Sequence, residues 1–426
     1  MEALKISVVT LGCKVNQCES ATIAAALDKL NIETSEGLQP ADVYILNTCS
    51  VTAEADRKSR QHISKMIKLN PDCKIIVIGC SSQKNNKLFD KPNVIAIGGN
   101  KNKQNFAVSE IIKLTNADKY SILSDRILYN TLGFDDISIE NEQIYPKFDK
   151  TRYFIKIQDG CNRFCTYCII PYLRGRSRSR SIEDVICECR TVNSREIVVT
   201  GIDISAYGKD IGVSLAELLR AMGGISSRKR LGSLECEAVS DDFLQAMRDG
   251  GFCPHFHLSL QSGSDDVLRS MNRKYDTRYY YDKVSAIRKY FPMAGITTDI
   301  IVGFPTESDK NFDDGIEFIK KCAFSDIHIF PYSSREGTLA ARKYKILPKD
   351  IVYNREQRLL KIKSDAKNDF INKNLGTYSE IYAETVRGGY SVGYTPNYIK
   401  VYSRLACGSI GKLKLTAPIF DGILGE

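Results

Sequence analysis

Residues 153–168 read YFIKIQDGCNRFCTYC: a short alternating apolar run, a glycine, and then Cys161, Cys165 and Cys168 within eight residues. Packing alone gives no reason for that spacing. A short loop brings three sulfurs together at little closure cost, so they can wrap one face of a cubane iron–sulfur cluster. A cubane has four irons, so three thiolates leave one iron open to a small-molecule ligand. A structural zinc site is the alternative, but it needs a fourth protein ligand to close its tetrahedron. The four histidines (62, 255, 257 and 328) and Cys187 and Cys189 all lie far from this loop in sequence.

Working outward from the loop, FIKIQ is followed by five more strand-like runs: EIVVTG, LGSLEC, FHLSLQ, TTDIIVGF and DIHIFPY. Helical stretches separate most of them, which predicts a parallel, barrel-like sheet of six strand–helix units. Residues 349–373 carry Leu and Ile at helical spacing among Arg and Lys and predict one long helix. Upstream, ISVVTL, VYILNT and KIIVIG alternate with the amphipathic stretches ESATIAAALDKL and EADRKSRQHISKMIKL, which predicts a doubly wound α/β domain. Downstream, YSEIYAETV, YIKVYS and KLKLTAPIF, with Gly-rich breaks, predict a small β-barrel. The expected organisation is 1–115, a polar irregular linker over 116–146, a core over 147–375, and a tail over 376–426.

The 426 residues carry 60 Lys and Arg against 51 Asp and Glu, a net charge of +9, with 43% hydrophobic residues. This is a globular composition that excludes collagen-like, disordered and coiled-coil chains. No apolar run approaches a bilayer span, and no useful h-region precedes Cys13, so a cytoplasmic protein without a membrane partner is expected. Much of the positive excess falls in residues 331–426, with 16 basic against 9 acidic side chains. Fourteen cysteines are many for a reducing compartment. Cys13, Cys49 and Cys80 each follow a strand-like run, and in a parallel sheet such ends share one edge. Each alone reads as a buried apolar residue, but three in one topological position suggest a second three-thiolate cluster. Cys18, Cys73, Cys187, Cys189, Cys236, Cys253, Cys322 and Cys407 lack grouping and are expected in the core.

The cysteine loop, with an aromatic before its third cysteine and a place at the end of the first barrel strand, resembles the radical S-adenosylmethionine superfamily over roughly residues 150–375. That resemblance implies an open iron chelated by S-adenosylmethionine, which one electron cleaves to a 5′-deoxyadenosyl radical. Two clusters on consecutive domains plus a β-barrel tail resemble, over essentially the whole chain, the methylthiotransferases. Their order is a flavodoxin-like domain with an auxiliary [4Fe–4S] cluster, a partial (β/α)6 radical core with its own [4Fe–4S] cluster, and an RNA-binding TRAM module.

LGCKVNQCES, TGIDISAYGKD, GSLE, HFHLSLQSGSDDVLRSMNRKY and HIFPYSSREGT are similar to the branch that modifies N6-threonylcarbamoyladenosine. The GCQMN and TGQ phrases of the isopentenyladenosine branch are absent. Cys236, Thr306 and Leu339 depart from the branch, standing where proline, glycine and proline are expected. The resemblance implies methylthiolation at carbon 2 of adenosine 37 in the tRNA anticodon loop, with two S-adenosylmethionine per product. It also implies an electron donor such as flavodoxin or ferredoxin, and a sulfur donor. Another branch, acting on isopentenyladenosine or a ribosomal-protein aspartate, and a zinc-stabilised, non-catalytic RNA-binding protein are the rival readings.

The resemblance further suggests that S-adenosylmethionine is held by Thr200, Gly201, Asp203, Ser233, Glu235, Gln261 and Ser262. Arg273 would pair the methionine carboxylate. Helix caps and surface ion pairs are the alternative roles of these residues. Arg174, Arg176, Arg178 and Arg180 in RGRSRSR offer donors to an RNA backbone, or form a solvated charged face. Tyr378, Tyr382, Tyr390, Tyr394, Tyr398 and Tyr402 could stack bases or pack their own barrel.

Overall fold

The computed structural model describes residues 4–115, 127–129, 137–139, 142–147 and 151–426. The first domain is a five-stranded sheet of β1 (Ile6–Thr10), β2 (Thr34–Glu36), β3 (Val43–Thr48), β4 (Lys74–Gly79) and β5 (Val94–Ile97). Its order is β2-β1-β3-β4-β5, with every pair parallel. Alternate side chains serve two cores. Ile6, Val8, Ile45 and Ile76 pack on the helices Lys14–Lys29 and Lys103–Leu114. Val9, Tyr44, Leu46 and Val77 pack on the helix Ala53–Leu69. This flavodoxin-like order reverses direction between β1 and β3, the position where such sheets bind ligands.

The segment expected as an irregular linker lies partly outside the described residues. It carries three short antiparallel strands, β6 (Ile127–Tyr129), β7 (Ile137–Ile139) and β8 (Glu142–Gln143).

The core contains β9 (Arg152–Asp159), β10 (Arg178–Ser179), β11 (Glu196–Gly201), β12 (Arg228–Leu231), β13 (Ser233–Leu234), β14 (His255–Leu258), β15 (Gly295–Val302) and β16 (Asp326–Pro331). They form two four-stranded sheets, β10-β9-β11-β12 and β13-β14-β15-β16, parallel except for the short β10. LGSLEC is therefore not one strand. It breaks at Gly232, whose missing side chain leaves room for the Val199 carbonyl, and it ends in a 3-10 turn at Cys236. The helices outside the sheets follow simple rules. Ser308 caps Asp309–Cys322 in a reciprocal box with Asn311, and Phe312, Ile316 and Ile319 turn one stripe inward.

The long helix Lys349–Lys373 spans the expected residues and leads to the tail. There β17 (Tyr378–Arg387), β18 (Tyr390–Tyr394), β19 (Lys400–Ser403), β20 (Ile410–Ile419) and β21 (Gly422–Gly425) close a barrel around Ile381, Val401, Leu415 and Ile423. The barrel docks where the core strands begin. Arg152 pairs with Glu384 at 2.8 Å, and Arg230 donates to the carbonyls of Thr395 and Pro396. Gly295 is needed there, since a Cβ would stand 2.1 Å from the Asn397 carbonyl oxygen. Among the described residues, no helix is long and apolar enough to cross a membrane.

Candidate functional site

The loop after β9 is shaped by its own backbone and by its neighbours. Gly160 has φ +71°, and a Cβ there would lie 2.0 Å from the Arg176 carbonyl oxygen, so only glycine fits. Gln158, fully buried, donates to the carbonyl of Gly160 at 2.8 Å and to Ser177 Oγ at 2.9 Å. Its own side-chain oxygen accepts from the backbone of Ile202 and Asp203. One side chain thus fastens the cysteine loop to the end of β11. On the far side, the Thr166 N–H donates to Met271 and the Asn272 amide donates to the Phe164 carbonyl.

Charged groups converge on this loop. Arg273 Nη1 lies 3.5 Å from Cys165 Sγ, pairs with Glu235, and donates from Nε to Tyr275 Oη at 3.0 Å. Arg163 bridges Asp203 at 2.8 Å and Glu237 at 2.9 Å. Cys161 Sγ stands 3.8 Å from Asp203 Oδ2, while Asp203 Oδ1 is buried without a hydrogen-bond partner. Burial pushes the thiols of Cys161 and Cys168 up to about 12. A thiol becomes a metal ligand by losing its proton to solvent as the metal binds. Three thiols, an unpartnered carboxylate oxygen and a guanidinium fit a cluster whose open iron is chelated by an amino acid's ammonium and carboxylate ends.

Cys13, Cys49 and Cys80 follow β1, β3 and β4 and straddle the point where the sheet order reverses. Two left-handed glycines bring their loops together. A Cβ on Gly12 (φ +99°) would lie 2.6 Å from Cys49 Sγ, and one on Gly79 (φ +105°) 2.6 Å from the Thr48 carbonyl oxygen. Burial raises the thiol of Cys49 to about 11, while Cys13 is exposed beside it. Asn100 stands 3.5 Å from Cys80 Sγ and donates to the Leu173 carbonyl in the core. Among the described residues, no three His, Cys, Asp or Glu side chains close around a single ion. A cubane binds each thiolate to a different iron, so its ligands stand further apart than those around one zinc.

Two buried arginines join these sites. Arg174 contacts Glu19 at 2.9 Å, Asp159 at 3.1 Å and Asn16 Oδ1 at 2.6 Å. Glu19 also meets Lys103 at 2.5 Å and Lys156 at 3.1 Å. Burial alone would raise the Glu19 and Asp159 carboxyls, but the surrounding cations hold both well below the ordinary range. Arg335, just after β16, reaches Ser50 Oγ at 2.7 Å and Asp56 at 2.5 Å. The first and last strands of the partial barrel are thereby both tied to the first domain.

The Radical SAM superfamily matches residues 155–319, and the family described as "Uncharacterized protein family UPF0004" matches residues 5–98. The threonylcarbamoyladenosine tRNA methylthiotransferase MtaB of Bacillus subtilis is 35% identical over 95% of this chain and 91% of its own length. Its Thermotoga maritima namesake is 36% identical over 93% and 90%. The chain belongs to the radical SAM methylthiotransferase family. A tRNA-2-methylthio-N(6)-dimethylallyladenosine synthase of Acetivibrio thermocellus is 34% identical over 88% of this chain and 80% of its own. The fold is also that of the radical S-adenosylmethionine methyltransferase TsrM from Kitasatospora setae, with TM-score 0.54 at 13% identity over 80% of this chain and 77% of that one. The cofactors of this methylthiotransferase are those of its family: S-adenosylmethionine, a [4Fe–4S] cluster for radical generation and an auxiliary [4Fe–4S] cluster.

Of the residues expected to hold S-adenosylmethionine, the fold gathers Asp203, Glu235 and Arg273 beside the methylthiotransferase's cysteine loop. Thr200 and Gly201 end β11, with Gly201 packed on Gln158. Ser233 faces the barrel lumen. Gln261, at φ +71°, joins β15 through its backbone, and Ser262 Oγ accepts the Ser264 N–H. Gln158, Arg163, Glu237 and Tyr275 escaped sequence reasoning, because nothing in their spacing marks them.

The structure also decides three further readings. Arg174 and Arg180 do not face solvent: both are buried, Arg180 against Glu188, because carboxylates from distant segments meet them. Arg178 is half-buried on Asp159 at 3.4 Å, and Arg176 alone of the run is exposed, over the Phe164 ring. Tyr382, Tyr394 and Tyr398 lie against Arg228, Arg152 and Arg230, and Tyr402 bonds Asp421, so these four pack the tail. Tyr378 stays 65% exposed. Cys187 and Cys407 are exposed rather than in the core, one on the outer face of a short helix and one in a turn.

Proposed function

We propose that this enzyme converts N6-threonylcarbamoyladenosine at position 37 of tRNA to its 2-methylthio derivative, consuming two S-adenosylmethionine per product. The supporting observation is the pairing of two cysteine sets on separate domains that Arg174 and Arg335 hold together, in a chain alike along its length to enzymes named for this nucleoside. In this reading Cys161, Cys165 and Cys168 hold the radical cluster, and Cys13, Cys49 and Cys80 hold the auxiliary one. Bound there, the cofactors supply a 5′-deoxyadenosyl radical to take hydrogen from carbon 2 and a sulfur to replace it.

The chain's own residues bind and orient. Arg273 pairs a carboxylate, Asp203 accepts from an ammonium, and Gln158 fixes the loop between them. Residues 1–115 serve as the sulfur-donating domain, 147–375 as the radical core and 376–426 as the RNA-binding tail, with 116–146 between. A flavodoxin or ferredoxin supplies electrons and a separate donor supplies sulfur, in the cytoplasm. Nucleoside mass spectrometry of tRNA from a deletion strain tests this. The methylthio form should vanish, its threonylcarbamoyl precursor should accumulate, and the intact gene should restore the product. An unchanged level of 2-methylthio-N6-threonylcarbamoyladenosine would exclude the assignment.

A further inference from the structure

A cavity of about 800 Å³ fills the lumen of the partial barrel, reached by Ser233 and Asp299 from the core and by Lys14 from the first domain. Lys14 is the neighbour of Cys13, but the two side chains serve different spaces. Cys13 belongs with the loops of Cys49 and Cys80, whereas Lys14 passes the Phe154 ring, 5.9 Å from its centroid, into the lumen.

Lys14 has no ion-pair partner among the described residues. The carboxylate whose charge reaches it, Glu196, is already committed to Arg152 at 3.0 Å, Arg228 at 2.6 Å and Arg230 at 3.0 Å. Glu384 also meets Arg152, so three guanidiniums share two carboxylates and leave this wall with surplus positive charge. Lys367, a second lining cation without an ion pair among the described residues, lies on the long helix, where its charge acts on Asp421 of the tail. The opposite wall is polar and internally paired: His257 bonds Asp299 at 3.2 Å and Thr297 Oγ1 at 2.8 Å. An ammonium that faces this lumen without a counter-ion offers a site to a carboxylate, since a charge pair in a cavity gains more than one in bulk water.

The nucleoside proposed above brings such a group. Its N6 arm is a urea carrying threonine, with a free carboxylate, whereas a dimethylallyl arm is uncharged. Carbon 2 and the carbon that bears N6 flank N1 in the adenine ring, and their outward bonds diverge. A base that turns carbon 2 toward the cysteine loops therefore carries its arm out to one side of them. We infer that Lys14 binds the carboxylate of the N6 arm inside the barrel lumen and makes this enzyme select an acidic substituent. This inference rests on the proposed substrate.

The test uses the reconstituted holoenzyme, with Lys14→Gln and Lys14→Arg, and one tRNA bearing either N6-threonylcarbamoyladenosine or N6-dimethylallyladenosine. Iron content, binding and kcat/KM are measured for each. The parent should prefer the threonylcarbamoyl tRNA. Lys14→Gln should lose about ten- to a hundredfold on it, mostly through KM, with little change on the other tRNA. Lys14→Arg should keep most of the preference. A Lys14→Gln enzyme that retains the parent's preference would overturn the inference and leave the proposed function standing. Iron loss with equal weakening on both tRNAs would mark a structural role and also overturn it. A parent that forms no product on the threonylcarbamoyl tRNA would sink the proposed function itself.

Discussion

Arg174 and Glu19 form a buried ion pair at 2.9 Å between the radical core and the first domain, with neither side chain exposed to more than a trace of solvent. The same guanidinium holds Asp159 one residue before Gly160. One arginine therefore positions the helix behind Cys13 and the root of the loop carrying Cys161.

Removing that arginine leaves two carboxylates buried with fewer partners. Arg174→Ala should cost about 3–5 kcal/mol in stability. Arg57→Ala, which breaks an exposed pair with Glu54, should change nothing measurable. Denaturant unfolding of the two variants, side by side, checks the contrast.

The same network sets an acid response. Glu19 and Asp159 have folded values depressed below their ordinary 4.5 and 3.8. Their stabilising contribution is complete above those ordinary values. It is lost progressively as pH falls below them toward the depressed folded ones. Between pH 5 and pH 3, the cluster-free parent should lose stability more steeply than Arg174→Ala. Parallel curves would refute the assignment.

The two cysteine sets should separate by iron count. The parent should hold about eight irons, and the triple alanine variant at Cys13, Cys49 and Cys80 about four. That variant should still cleave S-adenosylmethionine reductively but form no methylthio product. Alanine at Cys161, Cys165 or Cys168 should abolish cleavage. Cleavage at the parent rate would show that the altered cysteine is not a ligand.

Burial keeps Cys161 and Cys168 protonated near neutrality, with values of about 12. The thiolate fraction grows with pH throughout the range below that. Cluster loading, followed by its visible absorption, should therefore speed up from pH 7 to pH 9. A flat profile would mean that deprotonation does not limit assembly.

Gly160→Ala should impair the loop more than Gly376→Ala. Both glycines have positive φ, but only Gly160 has a backbone carbonyl in the space a methyl group would need. Iron content after reconstitution reads the difference, which should be at least twofold if the loop cannot close around its cluster.

The strands, the long helix and both cysteine sets could be read from the chain because each rests on local pattern: period-two runs, a helical stripe, and cysteines at strand ends. What could not be read was pairing across distance. Arg174 looked like one member of a solvated basic run, because Glu19 lies 155 residues away and nothing local announces it. Tyr398 looked like a base-stacking residue, because its partners His255 and Arg230 belong to another domain. LGSLEC looked continuous, because close approach of the Val199 carbonyl to Gly232 is a property of the folded sheet alone.

The tail barrel grips the core at the beginning of its strands, through Arg152, Arg228 and Arg230, whereas the cysteine loop emerges where β9 finishes. An RNA that touched both would have to run the full height of the core along its outside. With RNA held by the tail, the separation would act as a caliper, measuring how far a nucleotide lies from the part that is held. A molecule of the wrong span would be held at one end and never reach the chemistry at the other.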